Sequence, residues 1–106
     1  MKLDRNLNPS GMGKYALVRL RDIDGHKDRE EILRALTTLE RAGVIDYGIA
    51  GQPDEFFPIR LKDKYAQAAL DAYAQAASED DIEWAAEVER LAARSGPDHP
   101  LCKRPD

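Results

Sequence analysis

Large apolar side chains are scarce in this chain, and their scarcity limits the core that it can build. Leu, Ile, Val and Phe together supply 22 of the 106 residues, whereas Ala alone supplies 15. So small a share of large apolar residues is close to the compositions of chains that stay disordered. A chain of this length makes one domain of ordinary size. We therefore expect a single domain over residues 1–96, whose small core depends on alanine and a few aromatic side chains.

The two ends of the chain are rich in residues that interrupt regular structure. Residues 1–13 contain the turn sequence Asn-Pro-Ser-Gly, and residues 97–106 contain three prolines. Clusters of this kind are typical of loops and connecting segments. The sequence therefore predicts an irregular arm over residues 1–13 and an extended tail over residues 97–106.

Three segments have patterns that are typical of β-strands. Apolar and polar residues alternate over residues 14–21, and residues 44–49 and 55–61 flank a Gly-Gln-Pro-Asp loop that predicts a β-hairpin. Pro58 lacks an N–H group, so its strand should lie at an edge of the sheet.

Three further segments, at about 28–42, 64–77 and 79–94, have apolar residues at helical spacing. Polar residues that can cap a helix precede them, namely Asp28, Asp63 and Ser78. Gly43 follows the first of these helices, where a left-handed residue commonly ends a helix. The predicted order is β-α-β-β-α-α, which is an α+β fold with a small three-stranded sheet and a β-hairpin packed against three helices. Since alanine leaves a limited core, we also expect a homodimer that buries Tyr65, Tyr73 or Trp84.

Charge and cysteine content argue against several classes of protein. The net charge of −4 opposes bulk attraction to nucleic acid or to an anionic membrane surface. Cys102 is the only cysteine, so no disulfide can form within the chain. No apolar run approaches the roughly 20 residues of a membrane helix, and no signal-peptide pattern opens the sequence. We expect a cytoplasmic protein.

Residues with catalytic or cofactor chemistry do not form a convincing group. The Gly-x-Gly-Lys sequence at 11–14 lacks the first glycine of a phosphate-binding loop, because position 8 is Asn. His99 and Cys102 have a metal-ligand spacing, but a zinc site needs about four ligands. The three serines lie in the predicted arm, at a cap and at a helix end. We expect no enzyme activity, no metal and no cofactor.

Two observations favour nucleic-acid binding as an alternative. Tyr15, Arg19 and Arg21 share one face of the predicted first strand, where an aromatic ring among basic groups suits single-stranded nucleic acid. The stretch 28–64 is similar to the second half of a winged-helix domain, in which a recognition helix precedes a two-stranded wing. Acidic residues on that helix and at the wing tip oppose this interpretation.

The chain opens with Lys-Leu-Asp-Arg-Asn at 2–6 and Asn-Pro-x-Gly-x-Gly-Lys-Tyr-Ala-Leu at 8–17, and further short segments at 43–45, 55–57, 62–66 and 102–106 accompany this opening. Through these residues, and mostly through the opening ones, the sequence resembles small proteins encoded by tailed phages and prophages. The resemblance implies expression inside a bacterial host and an accessory role, with no catalytic residue to carry over.

We therefore expect a non-enzymatic accessory protein that binds another protein, such as a host or defence factor. The polar ends supply the expected contact residues, which are Arg5, Asn6, Asn8, Lys14, Tyr15, Lys103 and Arg104.

Overall fold

The computed structural model describes residues 15–104, and helices account for their regular structure. The elements are α1 (Arg29–Arg41), α2 (Ala66–Ala77), α3 (Ile82–Ala93) and short 3₁₀ turns at Leu20–Asp22 and Gly96–Asp98. The chain divides into two compact units, Tyr15–Phe57 and a second unit whose described part is residues 58–104.

The predicted α+β fold is wrong for residues 15–104, because none of the three predicted strands forms there. Neither the three-stranded sheet nor the β-hairpin is present in that range. The sheet-type pairing recorded there is one isolated parallel bridge between Asp63 and Lys103.

Local hydrogen bonds explain why the first predicted strand does not continue. Arg19 has an extended backbone, but a 3₁₀ turn follows it directly. The Asp22 N–H donates to the carbonyl of Arg19 at 3.0 Å, and the Ile23 N–H donates to the carbonyl of Leu20 at 3.1 Å. A backbone that is satisfied within its own turn is not available to a ladder.

Turns also replace the predicted hairpin. Gly48, inside the predicted strand 44–49, has a φ of 57°. Its N–H donates to the Asp46 carboxylate at 2.8 Å, which closes a local side-chain turn. A further turn follows, in which the Gln52 N–H donates to the Ile49 carbonyl at 3.1 Å. An alternating pattern forms a strand only where the backbone can hydrogen-bond to a neighbouring strand. Here the backbone N–H groups of Gly48 and Gln52 bond instead to a side chain and to a turn carbonyl.

The three predicted helices are confirmed, with ends that differ from the prediction by at most three residues. Gly43 ends α1 as predicted, with a φ of 71°. Its N–H donates to the carbonyl of Glu40 at 3.1 Å, and the Val44 N–H donates to that of Leu39 at 3.3 Å. At the other end, Asp28 is the N-cap residue but its side chain makes no capping hydrogen bond.

In the unit of residues 58–104, α2 and α3 form an antiparallel hairpin. The Gln67 side-chain amide donates to the Ala92 carbonyl at 3.2 Å, and the Trp84 indole donates to the Tyr73 hydroxyl at 3.1 Å. The side chains buried between these helices are almost all small, namely Ala66, Ala74, Ala85, Val88 and Ala92. Small side chains let two helices approach closely, so the alanine part of the expected core is confirmed for this unit. The aromatic part is wrong there, because Tyr65 and Tyr73 are 57% and 53% exposed.

The start of α3 differs from the prediction. Ser78 is the C-cap of α2, and the N-cap of α3 is Asp81. The Asp81 carboxylate accepts a hydrogen bond from the Trp84 N–H at 3.0 Å. A carboxylate at this position satisfies a free N–H group and faces the positive end of the helix dipole.

Replacing Asp81 with Ala should lower the free energy of unfolding by about 1 kcal/mol, since the cap is lost. Chemical denaturation followed by circular dichroism measures this change. Asp80→Ala is the matched control, because it removes the same charge at the neighbouring position, where the carboxylate caps no helix. Equal effects of the two substitutions would show that general charge, and not the cap, stabilises the helix.

Residues 95–103, which we call the C-terminal strap, pack along the segment before α2. The Gly96 N–H donates to the Leu61 carbonyl at 2.7 Å. Both backbone groups of Lys103 form hydrogen bonds. Its N–H donates to the Lys62 carbonyl at 2.9 Å, and its carbonyl accepts from the Lys64 N–H at 2.8 Å. Most of the predicted tail, residues 97–103, therefore belongs to the compact 58–104 unit.

Candidate functional site

The Tyr15–Phe57 unit leaves most of its large apolar side chains in contact with solvent. Ile23 is the one buried apolar side chain among its residues, and α1 contributes none. The exposed large apolar residues are Tyr15, Leu17, Val18, Leu20, Leu39, Val44, Tyr47, Ile49, Phe56 and Phe57. Exposed apolar surface on this scale is typical of interaction sites.

The segment from Val44 to Phe57, which we call the 44–57 loop, is held by specific contacts although it has no regular structure. The Glu55 carboxylate accepts from the Gly51 N–H at 3.0 Å. The Tyr47 hydroxyl donates to the Glu40 carboxylate, which ties the loop to the last turn of α1. These bonds add to the turn around Gly48 and limit the conformations that the loop can adopt.

The Phe56 ring lies directly against the backbone of Gly48. A Cβ atom at position 48 would overlap with Cε1 of that ring, so only glycine allows the contact. The neighbouring Phe57 side chain is 85% exposed, and Val44 and Ile49 are 69% and 62% exposed. Phe56 therefore packs part of its ring against the loop and stays half exposed, whereas Phe57 is almost fully exposed.

The contact between Tyr47 and Glu40 also has an electrostatic effect. The hydrogen bond to Glu40, followed by slight desolvation and the charge of that carboxylate, raises the pKa of the Tyr47 hydroxyl above its ordinary value. Because the neutral phenol is the donor, the contact is present below the ordinary tyrosine pKa and is lost as the pH rises through the raised one. The loop is therefore tied to α1 at neutral pH.

The contact residues predicted at the polar ends of the chain lie partly outside the described residues and partly in each of the two units. Arg5, Asn6, Asn8 and Lys14 lie outside the described residues. Tyr15 is 82% exposed at the start of the Tyr15–Phe57 unit. Lys103 and Arg104 are exposed in the other unit, where the Lys103 backbone holds the C-terminal strap.

The arrangement expected for nucleic-acid binding does not form in residues 15–104. Tyr15, Arg19 and Arg21 do not share a strand face, because the chain turns at Leu20–Asp22. The Arg19 guanidinium pairs with the Asp22 carboxylate at 3.1 Å. A winged-helix domain also needs a two-stranded wing, and residues 44–61 have none.

The described residues do not gather a metal site. No group of three or more His, Cys, Asp or Glu side chains converges among them. Nδ1 of His26 accepts from the Asp28 N–H, and Nδ1 of His99 accepts from the Leu101 N–H, each at 3.0 Å. Each histidine therefore uses one ring nitrogen to hold a local turn.

An open depression of about 430 Å³ lies along α1. It is lined by Leu33, Arg34, Thr37, Thr38 and Arg41. Both threonine hydroxyls donate to carbonyls one turn earlier, at 2.9 and 3.1 Å. This set holds two cationic groups and no general base, so it offers no catalytic arrangement of its own.

The three outward-facing apolar residues of the 44–57 loop were not predicted, because the sequence pattern placed Val44, Ile49 and Phe57 in strands. One signal was present in the sequence. A glycine inside a strand pattern, here Gly48, commonly marks a bend or a close approach of another group. The aromatic residue that makes this approach, Phe56, was not identifiable from spacing alone.

Comparison with known proteins adds no relative. No protein-family model matches the chain, and no curated protein or solved structure shows significant similarity to it. None of the helices within residues 15–104 combines the length and the apolarity that crossing a bilayer requires.

Proposed function

We propose that this protein is a non-enzymatic accessory protein that binds another protein through the Tyr15–Phe57 unit. One observation supports the proposal most strongly: this unit exposes ten large apolar side chains and buries one. Exposing that much apolar surface to water is unfavourable in free energy unless a partner protein covers the surface for part of the time.

The 44–57 loop is the part of this unit best suited to make the contact. Val44, Ile49 and Phe57 are largely exposed, and burying a side chain of this size contributes about 1.5–3 kcal/mol before the costs of association. A loop already held by hydrogen bonds and by the Phe56 ring loses less conformational entropy on binding than a free loop would. The expected partner therefore offers an apolar pocket that accepts the Phe57 side chain.

The biological setting in this proposal comes from the sequence resemblance alone. It is the cytoplasm of a bacterial cell that carries a phage or prophage, and the partner is a host or defence protein. The polar residues of the chain ends, among them Arg5 and Arg104, would be further contacts for the partner.

Affinity capture from nuclease-treated bacterial lysate tests this proposal. The tagged chain should retain one protein in stoichiometric amount, identified by mass spectrometry. Phe57→Asp should reduce its recovery at least tenfold, since the charge would have to enter an apolar pocket. Leu101→Asp is the matched control, because it places the same charge at an exposed apolar position in the other unit.

Two results would contradict the proposal. Equal recovery with wild type and with Phe57→Asp would exclude the loop as the contact. Recovery that disappears with nuclease and falls steeply with salt would instead indicate a nucleic-acid binder.

A further inference from the structure

Residues 15–18 have exposed side chains and backbone groups without partners in the described part of the chain. Tyr15 and Leu17 are 82% and 60% exposed, and Val18 is also exposed. No backbone hydrogen bond reaches these four residues from anywhere in residues 15–104. Arg19, which follows, has an extended backbone with φ −86° and ψ 90°. Unpaired backbone groups beside β-branched and aromatic side chains form a template on which another chain can pair.

We propose that residues 15–19 pair in antiparallel fashion with the same residues of a second copy of this chain, about a twofold axis at Leu17. The strand forms between two chains and not within one, which agrees with the absence of a sheet in residues 15–104 of a single chain. This inference does not depend on the proposed partner-binding loop, since it needs only the chain itself.

The sequence of this segment is complementary to itself in that register. Leu17 faces Leu17 of the second copy, and Ala16 faces Val18. Tyr15 faces Arg19, whose side chain is 71% exposed even with its ion pair to Asp22. A guanidinium over a tyrosine ring is favourable, and no two like charges lie opposite each other. A register centred on Arg19 would instead oppose two guanidinium groups.

Within the paired segment, Tyr15, Leu17 and Val18 are the exposed large apolar side chains that a second copy would cover.

Light scattering of the purified full chain at tens of micromolar tests the proposal. Wild type should have twice the 11.9 kDa mass of one chain. Leu17→Asp and Leu17→Lys should each be monomeric, because two like charges would face each other on the axis. An equimolar mixture of the two variants should recover the doubled mass, since Asp then faces Lys. Leu101→Asp should remain dimeric.

Three outcomes would overturn the proposal: a monomeric wild type, a dimeric Leu17→Asp, or a mixture of the two variants that stays monomeric although both keep wild-type circular dichroism. The same variants separate this inference from the proposed function. Leu17→Asp should lose the doubled mass and still capture its partner, whereas Phe57→Asp should keep the doubled mass and lose capture.

Discussion

Replacing Ala74 with Leu is expected to lower the free energy of unfolding of the 58–104 unit by about 2–3 kcal/mol. Ala74 is 1% exposed and lies between α2 and α3. A leucine there has no space unless the two helices move apart, and such a movement would loosen their other contacts. Urea denaturation of the full chain, followed by circular dichroism, measures the change.

Ala72→Leu is the matched control for this prediction. Ala72 lies on the same helix but is exposed, so the same added carbons meet solvent and the free energy should change by less than about 0.5 kcal/mol. Equal stability of the two variants would mean that the helices are not in close contact at Ala74.

Gly96→Ala is expected to destabilise the same unit by about 3 kcal/mol, for two separate reasons. Gly96 has a φ of 62°, which is unfavourable for any residue with a Cβ atom. That Cβ would also lie 3.0 Å from Cβ of Gln67 and 3.2 Å from the Lys64 carbonyl oxygen. Because these atoms belong to or adjoin the backbone of the helix start, they cannot move aside independently.

Gly25→Ala separates the two causes. Gly25 has a φ of 78°, but a Cβ there would meet nothing within 4 Å, so only the backbone strain of about 1–2 kcal/mol remains. Melting curves of both variants should therefore show the larger loss for Gly96→Ala. A Gly96→Ala chain as stable as wild type would show that the strap does not pack against Gln67.

The helices of this protein could be predicted from the sequence because their signals are local. Apolar spacing identified all three, and Gly43 marked the end of α1 with the φ that its position requires. The cap of α3 was misplaced for an equally local reason. Ser78 and Asp81 are both good capping residues three positions apart, and only the geometry shows which one meets a free N–H group.

The strands could not be predicted in the same way, because a strand depends on a pairing partner that is often distant in sequence. Val44 and Ile49 fit a strand by residue type, yet the Asp46 carboxylate and the positive φ of Gly48 turn the backbone between them. The candidate binding surface depends on this turn. The pairing of Phe56 with Gly48 joins residues eight apart and has no periodic signature.

The hairpin and the C-terminal strap also differ in the distance along the chain over which their contacts form. α2 and α3 are joined by four residues, so their search for each other is short and is expected to finish early in folding. The strap must bring Gly96 back to Leu61, across the whole hairpin. Closing that longer loop costs more conformational entropy. The cost is offset only once the helices have paired, since Gln67 and Ala92 then already lie in contact. From this connectivity we expect the alanine-faced helices to pair first and the strap to dock last.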